Sequence, residues 1–115
     1  MKKQIQVVVN VIILYMTKSF FNKLYLKKQL YRLRMKERTV VLEHLNFFNK
    51  DINELLDIDV KIDEEDKALI FLSSLSQSYD HIITTMLYGK KTLMLEDVMS
   101  TLLSDEIRKK TNQVK

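Results

Sequence analysis

The chain has 115 residues, 46% of them apolar and 30% charged, with one glycine, no proline and no cysteine. This is globular composition, and it excludes a disordered tail, a Gly-rich phosphate loop, disulfides, a thiolate nucleophile and a cysteine zinc site. The formal charge of +4 is modest but unevenly placed: Met1 to Lys36 has no acidic residue, whereas "DINELLDIDVKIDEED" is strongly acidic, a polarity that permits head-to-tail association or an anionic partner.

The opening "MKKQIQVVVNVIILY" sets lysines before an apolar run, as a signal peptide does. No small-residue cleavage site follows, and the run falls short of the ~20 apolar residues that span a bilayer. A buried structural segment is therefore expected, with no membrane contact. Ile5 to Leu14 is rich in valine and isoleucine, which suggests a strand unless packing imposes helix.

From about Lys18 to Lys36 the spacing predicts a helix with two apolar stripes. Phe20, Leu24, Tyr31 and Met35 form one stripe; Leu26, Leu30 and Leu33 form another on nearly the opposite side. Lys23, Lys27 and Arg34 lie along one flank, and Lys28, Arg32 and Lys36 along the other. A helix resting on one lobe needs a single stripe, so these seven apolar residues are candidates for a protein interface. The six basic residues are candidates for phosphate contact, with Tyr25 and Tyr31 available to stack on unpaired bases.

The most regular helix covers roughly Val41 to Leu56, with Val41, Leu45, Phe48, Ile52 and Leu55 inward and Leu42 and Leu56 widening the face. Lys50 and Glu54 are spaced as a charge pair. "DIDVKIDEED" marks a boundary, with Asp63 as N-cap of a helix that buries Ala68, Leu69, Leu72 and Leu75. A fourth helix starts near Ser78, carries Tyr79, Ile82, Ile83, Met86 and Leu87, and should stop at Gly89. The last begins around Leu95, turns Val98, Met99, Leu102, Leu103 and Ile107 inward and closes on Lys109 and Lys110.

Reactive groups are scarce. His44 and His81 sit on separate helices with no metal-ligand spacing, and both read as surface helix residues, His44 partly exposed. The acidic cluster lacks the central glycine and ligand rhythm of a calcium loop. No catalytic residue, metal ligand, cofactor or small-molecule substrate is expected.

From Leu14 to Lys110 the succession "LYMTKS", "NKLYLKKQLYRLRMKE", "EHLNFFNK", "VKIDEEDKALIFLSSL", "MLYGKKTLMLEDV" and "LLSDEIRKK" resembles the Gag polypeptide of copia-type LTR retrotransposons. The resemblance implies an all-α, capsid-like fold, a role in assembling a particle around element RNA, and no enzymatic activity. Leu24, Leu26, Leu30, Tyr31, Leu33, Leu45, Phe48, Asp66, Leu72, Leu75, Tyr79, Leu87, Leu95, Val98 and Leu102 match scaffold positions of the family.

Departures from the family pattern are local. Arg38 stands where a glycine is usual, and Val40 where a capping hydroxyl is, leaving Thr39 to cap one residue early. Met94 replaces a Ser or Thr before the last helix, and Ser76 a common proline. The first dozen residues do not look like the family's first helix, and the downstream zinc knuckle of a complete Gag is missing.

The expected molecule is thus a small bundle of about five helices. Residues 1–14 would be a divergent apolar segment, 15–110 the helical domain, as one body or as two lobes meeting near 57–62, and 111–115 a polar tail. Its function would be structural, in a retrotransposon polyprotein fragment that pairs with itself or other Gag segments in the cytoplasm and touches RNA weakly and without sequence preference. The alternative is a basic nucleic-acid-binding module centred on residues 18–38.

Overall fold

The computed structural model describes residues 2–88 and 93–114. Among them are five helices and no strand: α1 (Lys2–Arg32), α2 (Val41–Asp57), α3 (Glu64–Ser73), α4 (Asp80–Leu87) and α5 (Leu95–Val114), with a 3-10 turn, Gln77–Tyr79, leading into α4. The expected stop at Gly89 lies outside the described residues.

The opening segment is helical, contrary to its strand propensity, and it is continuous with the helix that follows. Nor is it buried: its apolar side chains from Ile5 to Met16 are 39–76% exposed, so packing within the chain is not what imposes the helix. At its other end α1 stops at Arg32, leaving Leu33 to Lys36 in a loop. Arg34 closes this end, its Nη1 donating to the carbonyls of Tyr31 (2.9 Å) and Leu33 (2.7 Å), which satisfies oxygens that have no partner inside the helix.

The loop tightens through Thr39 N–H donating to Lys36 O (3.2 Å). Arg38 sits at the third position of this turn with φ 65°, the place a type II turn reserves for glycine. The N-cap of α2 is Val40, with no side-chain cap, so Thr39 does not supply the early cap. Instead Val41 N–H donates to Glu106 Oε2 of α5 at 3.0 Å. A carboxylate 65 residues away thereby supplies the acceptor, at the positive end of the helix dipole.

Helix α2 ends where Asp59, at φ 62°, lets Asp59 N–H reach Leu56 O (3.0 Å) and Val60 N–H reach Leu55 O (2.9 Å). This is the Schellman arrangement, with Val60 folded back toward the core beside Leu55. Asp63 occupies the N-cap of α3 as expected, yet its side chain makes no capping bond. Helix α5 runs on past Lys110 to Val114, across the predicted polar tail.

The core takes Leu30 from α1, Val41, Phe48, Ile52 and Leu55 from α2, Ala68, Phe71 and Leu72 from α3, Met86 from α4, and Val98, Met99 and Leu102 from α5, with Leu75 and Leu93 from the connections. It is continuous across residues 57–62. Phe48 and Phe71 meet edge to face at 5.2 Å, the preferred geometry for aromatic pairs. Five residues expected inward lie outside it: Leu42, Leu56, Leu69, Leu87 and Ile107 are all exposed. Lys50 and Glu54 form no ion pair; the pairs among the described residues are Lys67–Glu64, Arg108–Asp105 and Lys109–Asp105.

Candidate interaction surface

Helices α1 and α2 pack as a hairpin, and this decides the fate of the two stripes on α1. Leu30 is fully buried, and Leu26, Leu33 and Met35 are half-buried against the core. Met35 reaches it from the loop, where its N–H donates to Ser74 O at 2.7 Å. Phe20, Leu24 and Tyr31 remain open at 69%, 43% and 55% exposure. The seven candidate interface residues therefore divide: four belong to the chain's own packing and three face outward.

All six candidate phosphate-binding residues are exposed. Lys23, Lys27, Lys28 and Arg32 stay on α1, while Arg34 and Lys36 lie in the loop. None takes part in an ion pair among the described residues, so their charge is available, although Arg34 gives one nitrogen to the end of α1. The acidic residues Asp57, Asp59, Asp63, Glu64, Glu65 and Asp66 are also exposed. The two charge groups approach at one groove, lined by Tyr15, Lys18, Ser19, Asn22 and Lys23 of α1 and by Asp57 to Asp59.

His44 is buried, not partly exposed, and its Nε2 lies 2.7 Å from Ser74 Oγ. Because the Ser74 hydroxyl donates to Phe71 O, the single serine proton is taken and the histidine Nε2–H is the donor. A serine beside a histidine invites a nucleophile–base reading. Ser74 is 1% exposed, however, and its proton is aimed at a backbone carbonyl; the pair ties α2 to the end of α3. Burial depresses the His44 pKa below its ordinary value.

Asp51, also buried, accepts from Gln29 Nε2 at 2.9 Å and fastens α1 to α2. Burial pushes its pKa up, with the Gln29 bond opposing. Both residues lie on the inward face of α2, three positions from Val41 and Phe48 respectively, a spacing that could have revealed them. Buried Asp105 is likewise raised by desolvation, but bonds from Lys109 and Arg108 outweigh that and hold it low. Lys109 also lies 5.3 Å above the Tyr79 ring. His81 is exposed on α4. Among the described residues no three His, Asp or Glu side chains converge as a metal site.

Over 98 residues, 84% of this chain, the sequence is 57% identical to the retrovirus-related Pol polyprotein from transposon TNT 1-94 of Nicotiana tabacum. The chain covers 7% of that polyprotein's length. A 53-residue stretch is 40% identical to the probable prolyl 4-hydroxylase 11 of Arabidopsis thaliana, covering 46% of this chain and 20% of that protein. No solved structure matches. The profile of the gag-polypeptide of LTR copia-type matches residues 10–115, and the chain belongs to that copia-type Gag family.

Proposed function

We propose that this Gag segment is a structural unit that associates with copies of itself, or with other Gag segments, during assembly of a particle around the element's RNA. The observation that carries this reading is the open stripe of Phe20, Leu24 and Tyr31 on a helix whose opposite side already lies in the core. Covering each such side chain contributes roughly 1.5–3 kcal/mol, which gives assembly a driving force without any catalytic group. The family relationship supports the structural role.

Sedimentation across a concentration series tests it. The 115-residue chain should form concentration-dependent oligomers at tens of micromolar, and the Phe20→Ser, Leu24→Ser, Tyr31→Ser triple variant should remain monomeric with an unchanged unfolding midpoint. A strictly monomeric wild type overturns the reading.

A second reading, RNA contact through the basic face, is favoured by the exposure of Lys23, Lys27, Lys28 and Arg32. Arg34 is better left intact in its test because it caps α1. Changing those four to glutamine should weaken RNA binding and flatten its salt dependence; an unchanged salt slope removes the reading.

A further inference from the structure

The projecting half of α1 has a surface that neither the fold nor the stripe above accounts for. Its apolar residues surround the helix almost completely, and none is buried. The polar interruptions Gln6, Asn10 and Thr17 line up on one narrow strip. They also make hydrogen bonds within the helix: Gln6 Nε2 donates to Asn10 Oδ1 (3.1 Å) and Thr17 Oγ1 to Ile13 O (2.8 Å). Polar groups bonded in this way enter an apolar medium at reduced cost. By length and composition α1 is able to cross a membrane.

Two features decide the occupant. A second helix would cover only one strip of such a cylinder, whereas lipid chains cover all of it. Pairing of α1 with α1 would also bring Lys2 and Lys3 together with lysines of the second copy, and residues 1–36 carry no carboxylate to offset them; the carboxylates of Asp57 and Asp59 lie in the groove beside Lys18 and Lys23. Anionic head groups supply countercharge for Lys27 and Lys28 and add to that of Asp57 and Asp59 at Lys18 and Lys23; these four lysines follow the apolar segment directly. Weak helix formers such as valine and isoleucine are helical here without packing, and an apolar layer enforces that state by denying the backbone any other hydrogen-bond partner.

We infer that the segment from Ile5 to Met16 enters the apolar layer of a bilayer bearing anionic lipids, with the lysines after it on the head groups. The inference does not depend on particle assembly. It departs from the expectation of no membrane contact, which rested on the shortness of the apolar run and the lack of a cleavage site.

Flotation of the 115-residue chain with vesicles of phosphatidylcholine, with and without phosphatidylserine, is the test. The wild type should float with the anionic vesicles. The Val8→Asp, Ile12→Asp variant should stay in the aqueous fraction with an unchanged unfolding midpoint, because both positions are exposed. Changing Lys23 and Lys27 to glutamine should lower anionic-vesicle binding about tenfold or more. Three results overturn the inference: no flotation of the wild type, equal flotation of the aspartate variant, or a lipid-free oligomer that this variant disperses while the wild type ignores vesicles.

Discussion

Arg38 and Asp59 hold the left-handed backbone that glycine adopts freely, and each strains a turn that fixes one end of α2. Replacing Arg38 by glycine should raise stability by about 1 kcal/mol, measured by urea denaturation, with the fold unchanged; Asp59→Gly should act in the same direction. His44 carries a pH dependence. Its folded pKa lies below the unfolded value, so the unfolded chain takes up protons first as pH falls below about 6.5. Stability should therefore be full above that pH and decline below it until the folded pKa is passed. His44→Gln should flatten this part of the profile. Asp51 opposes it at lower pH: its raised folded pKa means that acidification removes a penalty of burying charge. Asp105, held low, loses stabilisation as pH falls below its ordinary carboxylate range. The difference between wild type and His44→Gln isolates the histidine. Glu43 and Asp80 beside the two histidines suggested two alike surface sites, but only position 44 falls on the inward face of its helix; burial follows the helical spacing, not the neighbour in sequence.

Helix α2 was legible because its apolar residues recur at helical steps over its entire length, and those of α3 to α5 nearly so. What failed was the width of each inward face. Leu42 and Leu56 of α2, Leu69 of α3 and Ile107 of α5 lie outside the sectors that neighbouring helices cover, although α2 by itself packs against both α1 and α5. Periodicity reports which side of a helix is apolar, while the length and position of its partner decide how much becomes buried. The start of α2 shows the same limit. Val40 marks a lost local cap, and the replacement, Glu106, comes from α5, a pairing invisible to local spacing. Glu106→Ala should cost about 0.5–2 kcal/mol. In a Val40→Ser background the serine can serve the same end of the helix, so the cost of removing Glu106 should shrink; full additivity in this double-mutant cycle would show that the two groups do not share that role.

With extents of 80 × 31 × 19 Å and a radius of gyration of 20.1 Å, the chain is far longer than the radius of about 13 Å expected of a compact domain this size. The cause is α1. Its groove with Asp57 to Asp59 begins at Tyr15, and the preceding Lys2 to Leu14 projects about 20 Å. The apolarity of that projection was plain in the sequence, but apolarity does not state whether polypeptide or another medium covers it. Because none of its side chains is buried, deleting residues 2–14 should change the unfolding free energy by no more than about 0.5 kcal/mol and bring the scattering radius toward the compact value. Leu55→Ala, which opens a hole in the core, should cost about 2–5 kcal/mol with no change in radius. A deletion that lowered stability as much as Leu55→Ala would mean that the projecting helix folds back onto the body in solution, and the apolar surface available to a second copy or a bilayer would then be confined to Phe20, Leu24 and Tyr31.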